Sequence, residues 1–242
     1  MIYELHGKIP QNSSFIYSED VLTSTVFGNL RYFSSLFVLN SFLSKAIDLQ
    51  GNNYSVNFPG KINFHFWEKY PSKTKALINE PDLILEDINS VLIIECKYHS
   101  PLDETFSENE SEYMNQLLRY STIIGEYYPN KKNKNIIFLT LSDYNVKIPL
   151  QKTKQSLSKD IGLYWLRWED LLPILQQYLK SDISDNEKTL VSDLIQFYLR
   201  RGLFHFEGLK INPHIFDWKY RQEKKYIFAK DFNAFSWRYY NE

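Results

Sequence analysis

Asp82, Glu95 and Lys97 are the residues whose types and spacing could do chemistry together. Twelve residues separate Asp82 from Glu95, and Cys96 and Lys97 follow at once. Pro81-Asp82 opens one apolar stretch, Leu83 to Glu86, and Glu95-Cys96-Lys97 closes the next, Val91 to Ile94. In a hairpin the end of the second strand returns beside the start of the first. That would bring Asp82 next to Glu95 and Lys97. Side chains alternate along a strand, so Glu95 and Lys97 share one side and Cys96 takes the other. Two carboxylates with the backbone carbonyl of Cys96 make an oxygen-rich half-cage of the kind hard cations prefer, Mg²⁺ or Mn²⁺. A lysine beside it can position or deprotonate a water and stabilise developing negative charge. Phosphodiester hydrolysis asks for that set of roles.

The elements that must hold these residues are legible in outline. Val91 to Lys97 is almost wholly apolar and β-branched before Glu95, which predicts a central strand covered on both faces. Asp87-Ile88-Asn89-Ser90 is the turn joining it to the strand Pro81–Glu86. Ile62 to Trp67 alternates as a half-buried strand. Ile136–Leu141 and Gly162–Trp168 are two further strands, with Asn130–Lys134 a basic loop before the first. A helix is expected from a Ser18 cap with Glu19 and Asp20 in its first turn, running to about Leu49 with a break near Gly28. A second is expected over Ser107–Tyr127, and others over Leu171–Leu179 and Glu187–Arg201. Pro173 lies in a first turn, where a missing N–H costs little, and Gly202 stops the last helix.

Pro81-Asp82, twelve residues, then Glu95-Cys96-Lys97 resembles the PD-(D/E)XK nuclease superfamily. The resemblance covers about residues 19–170. It implies a restriction-endonuclease-like core, a mixed central sheet flanked by helices, over residues 1–170. Residues 171–242 would then be a helical and aromatic extension packed on that core. It implies Mg²⁺ or Mn²⁺ held by Asp82, Glu95 and the Cys96 carbonyl, with Lys97 working on the water. Gln116 and Tyr120, in the run QLLRY, look like the QxxxY motif of the RecB-like and Cas4-like branches. Spacing i, i+4 puts both on one helix face, and the implied role is to orient Lys97 or the scissile phosphate. An acid on the first helix is common in the family. Glu19 is the match, as metal ligand or water holder, with Asp20 its rival. SEDVLTSTVFG at the first helix and RRGLFHFEG at 200–208 look like one bacterial subgroup, associated with nuclease components of anti-phage defence. The substrate implied is DNA.

Composition narrows the alternatives. The chain has 242 residues, 28 basic and 29 acidic side chains and a net charge of −1. It lacks the positive field for indiscriminate nucleic-acid binding. Recruitment or regulation by a protein partner is therefore expected. The single cysteine, Cys96, excludes a disulfide framework and a Cys-rich zinc module, and fits the cytoplasm. No apolar run is long enough for a membrane span, and the N-terminal stretch lacks the charged and apolar regions of a secretory signal. His6, His65, His99, His205 and His214 show no zinc spacing. His99, two residues past Lys97, is either a substrate contact or a turn histidine. Serine-hydrolase, P-loop and dinucleotide-binding motifs are missing. The basic clusters Lys131-Lys132-Lys134, Lys152-Lys154, Arg200-Arg201 and Arg221-Lys224-Lys225 are surface or phosphate contacts. The acidic run Glu104, Glu108, Glu110, Glu112 would repel DNA. From Ile215 onward the chain is rich in Phe, Tyr and Trp, which calls for packing or a partner. The alternative to an enzyme is an inactive nuclease-like subunit used for interaction or DNA binding.

Overall fold

The computed structural model describes residues 18–72, 78–102, 104–106 and 113–205. The chain divides into two units, 1–205 and 206–242. The second, with the aromatic stretch after Ile215 and the Arg221-Lys224-Lys225 cluster, lies outside the described residues.

An α/β architecture is present, with one five-stranded mixed sheet flanked by helices. Its strands, in spatial order, are β1 (Asn63–Phe66), β4 (Leu83–Glu86), β5 (Ser90–Cys96), β8 (Asn133–Thr140) and β9 (Ile161–Arg167). β1, β4 and β5 are antiparallel; β5, β8 and β9 are parallel. Among the described residues two small ribbons complete the strands: β2 (Tyr70–Pro71) with β3 (Ile78–Asn79), and β6 (Glu104–Phe106) with β7 (Tyr113–Asn115). The β4–β5 turn is closed by Asp87, whose Oδ1 accepts the N–H of Asn89 at 2.8 Å and of Ser90 at 2.6 Å. This local bond favours a turn over strand continuation. Every residue of β5 is buried, as its apolar run requires.

Alternation divides the core into two halves. Leu83, Leu85, Leu92, Ile94 and Cys96 face one layer, with α1 (Glu19–Leu30), α2 (Phe37–Leu43), α5 (Leu171–Tyr178) and α6 (Asp185–Arg200). Ile84, Val91 and Ile93 face the other, with α3 (Gln116–Tyr127) and α4 (Lys147–Ser156). Leu171, Leu175, Val191 and Leu194 share the first layer with Leu22 and Val26. Residues on both sides of position 170 thus build one core.

The first helix stops at Leu30, after Gly28, and a second short helix begins at Phe37. Two serines account for the gap. Ser34 gives its backbone N–H and its hydroxyl to the Glu187 carboxylate at 3.0 and 2.7 Å, and Ser35 Oγ accepts the Phe37 N–H at 3.1 Å. Side-chain bonds of this kind compete with helical ones. The second long helix starts at Gln116 and not at Ser107. Asn115 caps it, accepting the Leu118 N–H at 2.9 Å, while its amide donates to Thr153 at 2.7 Å; the three residues before Gln116 pair as β7. α4 has no counterpart in the sequence reading. Only Leu150 and Thr153 of its ten residues are buried, too few to leave a periodic signal. Asn133 and Lys134, expected in a loop, are in β8. α6 ends as expected, with Gly202 at φ 68°.

Candidate functional site

The C-terminal end of β5 gathers the charged residues. Ile94 is the last residue of β5 paired with β4, opposite Leu83. Two residues on, the Cys96 N–H turns to the Asp82 carboxylate and donates to Oδ2 at 2.8 Å. A strand residue points its N–H and C=O to the same edge, so the Cys96 carbonyl shares that edge with Asp82. The Cys96 side chain is in the core, and burial, then Asp82, pushes its thiol far up. An inert small hydrophobe fits that setting.

Glu95 projects toward α3, with 1% of its surface exposed. Its Oε1 is 2.7 Å from Lys97 Nζ. Its Oε2 accepts the hydroxyl of Tyr120, one turn into α3. Lys97 Nζ also lies 3.3 Å from Glu19 Oε1. Glu19, at the start of α1, takes the Tyr98 N–H at 2.9 Å and the Ser100 hydroxyl on Oε2. The backbone of Lys97 is held from both sides: its N–H donates to the Leu139 carbonyl at 2.8 Å, and its carbonyl accepts the Trp168 indole N–H at 3.1 Å.

The electrostatics follow from three carboxylates around one buried ammonium. Burial and then the Glu95 charge raise Asp82 from its ordinary 3.8 to about 8, against the pull of the Cys96 N–H and Lys97. Burial, against the pull of Lys97 and Tyr120, raises Glu95 too. Burial alone would depress Lys97, but Glu95, Glu19 and Asp82 together lift it above its ordinary value. Burial and the adjacent Glu95 charge hold the Tyr120 phenol protonated. The cluster sets three carboxyls against a single lysine, and the two deepest, Asp82 and Glu95, have their pKa values raised, by burial first.

The expected residues therefore meet, with changes in detail. Asp82, Glu95, Lys97 and Glu19 are linked as described, and Asp20 is exposed. Tyr120 touches Glu95, whereas orientation of Lys97 or a phosphate was expected. Gln116 is half-buried at the first position of α3, one turn before Tyr120. His99 is exposed, its ring 4.2 Å from that of Tyr98. Lys131 and Lys134 belong to the opposite end of the sheet, roughly 20 Å away for a seven-residue strand, where they pair with Glu86 and Asp160. Ser100 and Trp168 were missed. Ser100 follows Lys97 closely enough to be suspected; Trp168 is brought in from 71 residues away by β9 and has no local signal.

Could these groups hold a divalent cation? Among the described residues, no three His, Cys, Asp or Glu side chains form a metal-holding group. Lys97 bridges Glu95 and Glu19 instead. What the site offers is two carboxylates and the edge carbonyl of Cys96. Asp82 Oδ1 carries no hydrogen bond among the described residues. The donor set is all oxygen and the local charge excess is negative, both of which fit Mg²⁺ or Mn²⁺.

No protein-family model matches the chain, and no curated protein or solved structure matches it significantly. Among the described residues no helix is long and apolar enough to cross a membrane. Cys96, the one cysteine of the sequence, is free and buried.

Proposed function

We propose that this chain is a metal-dependent nuclease with a restriction-endonuclease-like core, hydrolysing phosphodiester bonds in DNA. One observation carries the reading. Asp82, Glu95 and Lys97 converge where β4 begins and β5 ends, with Glu19 and Tyr120 bonded into the same cluster. The motif spacing and the mixed sheet support it. In this reading Asp82, Glu95 and the Cys96 carbonyl hold Mg²⁺ or Mn²⁺, with Glu19 within the same network. Such an ion, when bound, supplies Lewis acidity and a more acidic water.

The chain's own residues have separable tasks. Lys97 is kept protonated by Glu95 and Glu19, so it orients a water or stabilises the charge growing on the phosphate and takes no proton itself. Tyr120 fixes Glu95. Trp168 and Leu139 fix the backbone that carries Lys97. Glu19 ties the Tyr98–Ser100 segment to α1. A net charge of −1 leaves weak intrinsic attraction to duplex DNA, which favours recruitment by a protein partner. Cleavage of plasmid and single-stranded DNA in Mg²⁺ or Mn²⁺ tests the proposal. Wild-type chain should cut, EDTA should stop it, and Asp82→Ala and Lys97→Ala should be inactive. Equal cleavage by the variants would overturn it. A wild type that neither cuts nor binds Mn²⁺ by calorimetry would favour an inactive interaction subunit.

A further inference from the structure

Beside Asp82 the backbone does something unusual. β1 pairs with β4 through Phe66 opposite Leu83, so the next residue, Trp67, faces Asp82. Its N–H lies 3.4 Å from the Asp82 carbonyl. Trp67 has φ 50°, and it is the one non-glycine residue with positive φ among the described residues. For a bulky side chain this is a genuine outlier, and such strain gathers where function over-determines the backbone.

The fold gains little from the indole in return. Among the described residues Trp67 belongs to neither half of the core. The residue is half-buried, and its ring has a tilted contact with that of Phe66 at 5.5 Å. Its Nε1 is shielded from solvent and has no hydrogen-bond partner among the described residues. A buried donor without an acceptor is itself a cost that needs a reason. Strain, an unmet donor and weak packing converge on one aromatic residue next to the main candidate carboxylate.

We infer that Trp67 is a substrate-binding residue, stacking on an unpaired nucleobase beside the phosphate presented to Asp82. The inference rests on the nuclease reading and narrows it, since stacking requires an exposed base face. A base inside a duplex offers none; a single strand, flap or frayed end does. Stacking also supplies affinity that a net charge of −1 does not, and base–aromatic stacking is strong and tolerant of sequence. The substrate class is therefore DNA that is single-stranded at the cut.

The test uses the full chain carrying Asp82→Asn to block cleavage, with and without Trp67→Gly or Trp67→Phe. Binding of a fluorescent single-stranded oligonucleotide is compared with its duplex, and with a series bearing one abasic nucleotide at successive positions. Thermal midpoints are recorded for each protein. The parent should prefer the single strand, and one abasic position should weaken it. Trp67→Gly relieves φ strain and should melt no lower than the parent, yet bind single strands roughly tenfold or more weakly. It should also be blind to the abasic position. Trp67→Phe should restore most of the affinity. If the parent binds and the wild type cuts, but Trp67→Gly binds single strands equally well, the Trp67 inference falls and the nuclease reading stands. If Trp67→Gly melts well below the parent, the indole is structural and the inference falls likewise. If the wild type neither binds nor cuts DNA, both fall.

Discussion

Two buried glutamates in this chain lead opposite electrostatic lives. Glu187, at 6% exposure, accepts the Ser34 N–H, the Ser34 hydroxyl and the Tyr178 hydroxyl, the last at 2.8 Å. Burial alone would raise its pKa, but these donors draw it below the ordinary value. Glu95, at 1% exposure, has Lys97 and Tyr120 as partners and Asp82 and Glu19 as neighbours, and its pKa rises. Burial is common to both. The difference lies in the balance: at Glu95, the deeper of the two, burial outweighs the pull of Lys97 and Tyr120 and Glu19 adds a smaller push, whereas at Glu187 the Ser34 and Tyr178 donors outweigh burial and make it a clip between α6 and the loop after α1.

Removing Lys97 should break the contrast most severely. Lys97→Ala leaves Glu95 and Asp82 without their neutralising cation. It should abolish cleavage and cost about 3–5 kcal/mol of stability in metal-free protein, read by urea unfolding. Adding Glu95→Gln to that variant should recover much of the stability and none of the activity. Unchanged stability of Lys97→Ala would show that buried Glu95 does not depend on the lysine for neutralisation.

Glu187→Ala is the complementary break. It strips a buried carboxylate from three donors and should destabilise by roughly 2–3 kcal/mol. Cleavage measured well below the melting temperature should persist. Loss of activity without loss of stability would move Glu187 out of its structural role.

The two carboxylates also predict opposite pH responses. Asp82 has a folded pKa near 8, above its ordinary 3.8. The folded state therefore holds an extra proton between these values, so stability is fully present at low pH and is lost as pH rises toward 8. Glu187 is shifted down, so its contribution is present above its ordinary 4.5 and is lost on acidification through the folded value. In metal-free protein, Asp82→Asn should flatten the decline in melting temperature between pH 5 and 8, and Glu187→Gln the decline below pH 4.5. Identical pH profiles for both variants would erase the contrast.

The smallest effect concerns Tyr120. Tyr120→Phe removes one donor from Glu95 and should cost about 1–2 kcal/mol, with a partial loss of turnover and little change in substrate binding. A selective rise in KM would mean that Tyr120 meets substrate directly.

The spacing from Asp82 to Lys97 and the apolar run of β5 made the centre of the sheet and the meeting of the three charged residues legible. The strand period and a tight turn suffice to fix that geometry. Less was legible where partners are remote. The gap at Ser34 depends on Glu187, 153 residues away, and no local propensity carries that contact. The true start of α3 was signalled by Asn115, a good cap that the neighbouring acidic run obscured. Helical spacing placed Tyr120 on the right face without revealing that Glu95 waits there. Trp67 read as an ordinary strand residue, because strain at φ is a property of the backbone and not of residue type.

The central claim is that Asp82 and Glu95 form a cation site held ready by Lys97. Crystals of the full chain soaked in Mn²⁺ test it most directly, by anomalous diffraction at the manganese edge. A manganese peak is expected between the Asp82 and Glu95 carboxylates, against the Cys96 carbonyl. A map with no peak there, with Lys97 still seated on Glu95, would contradict it.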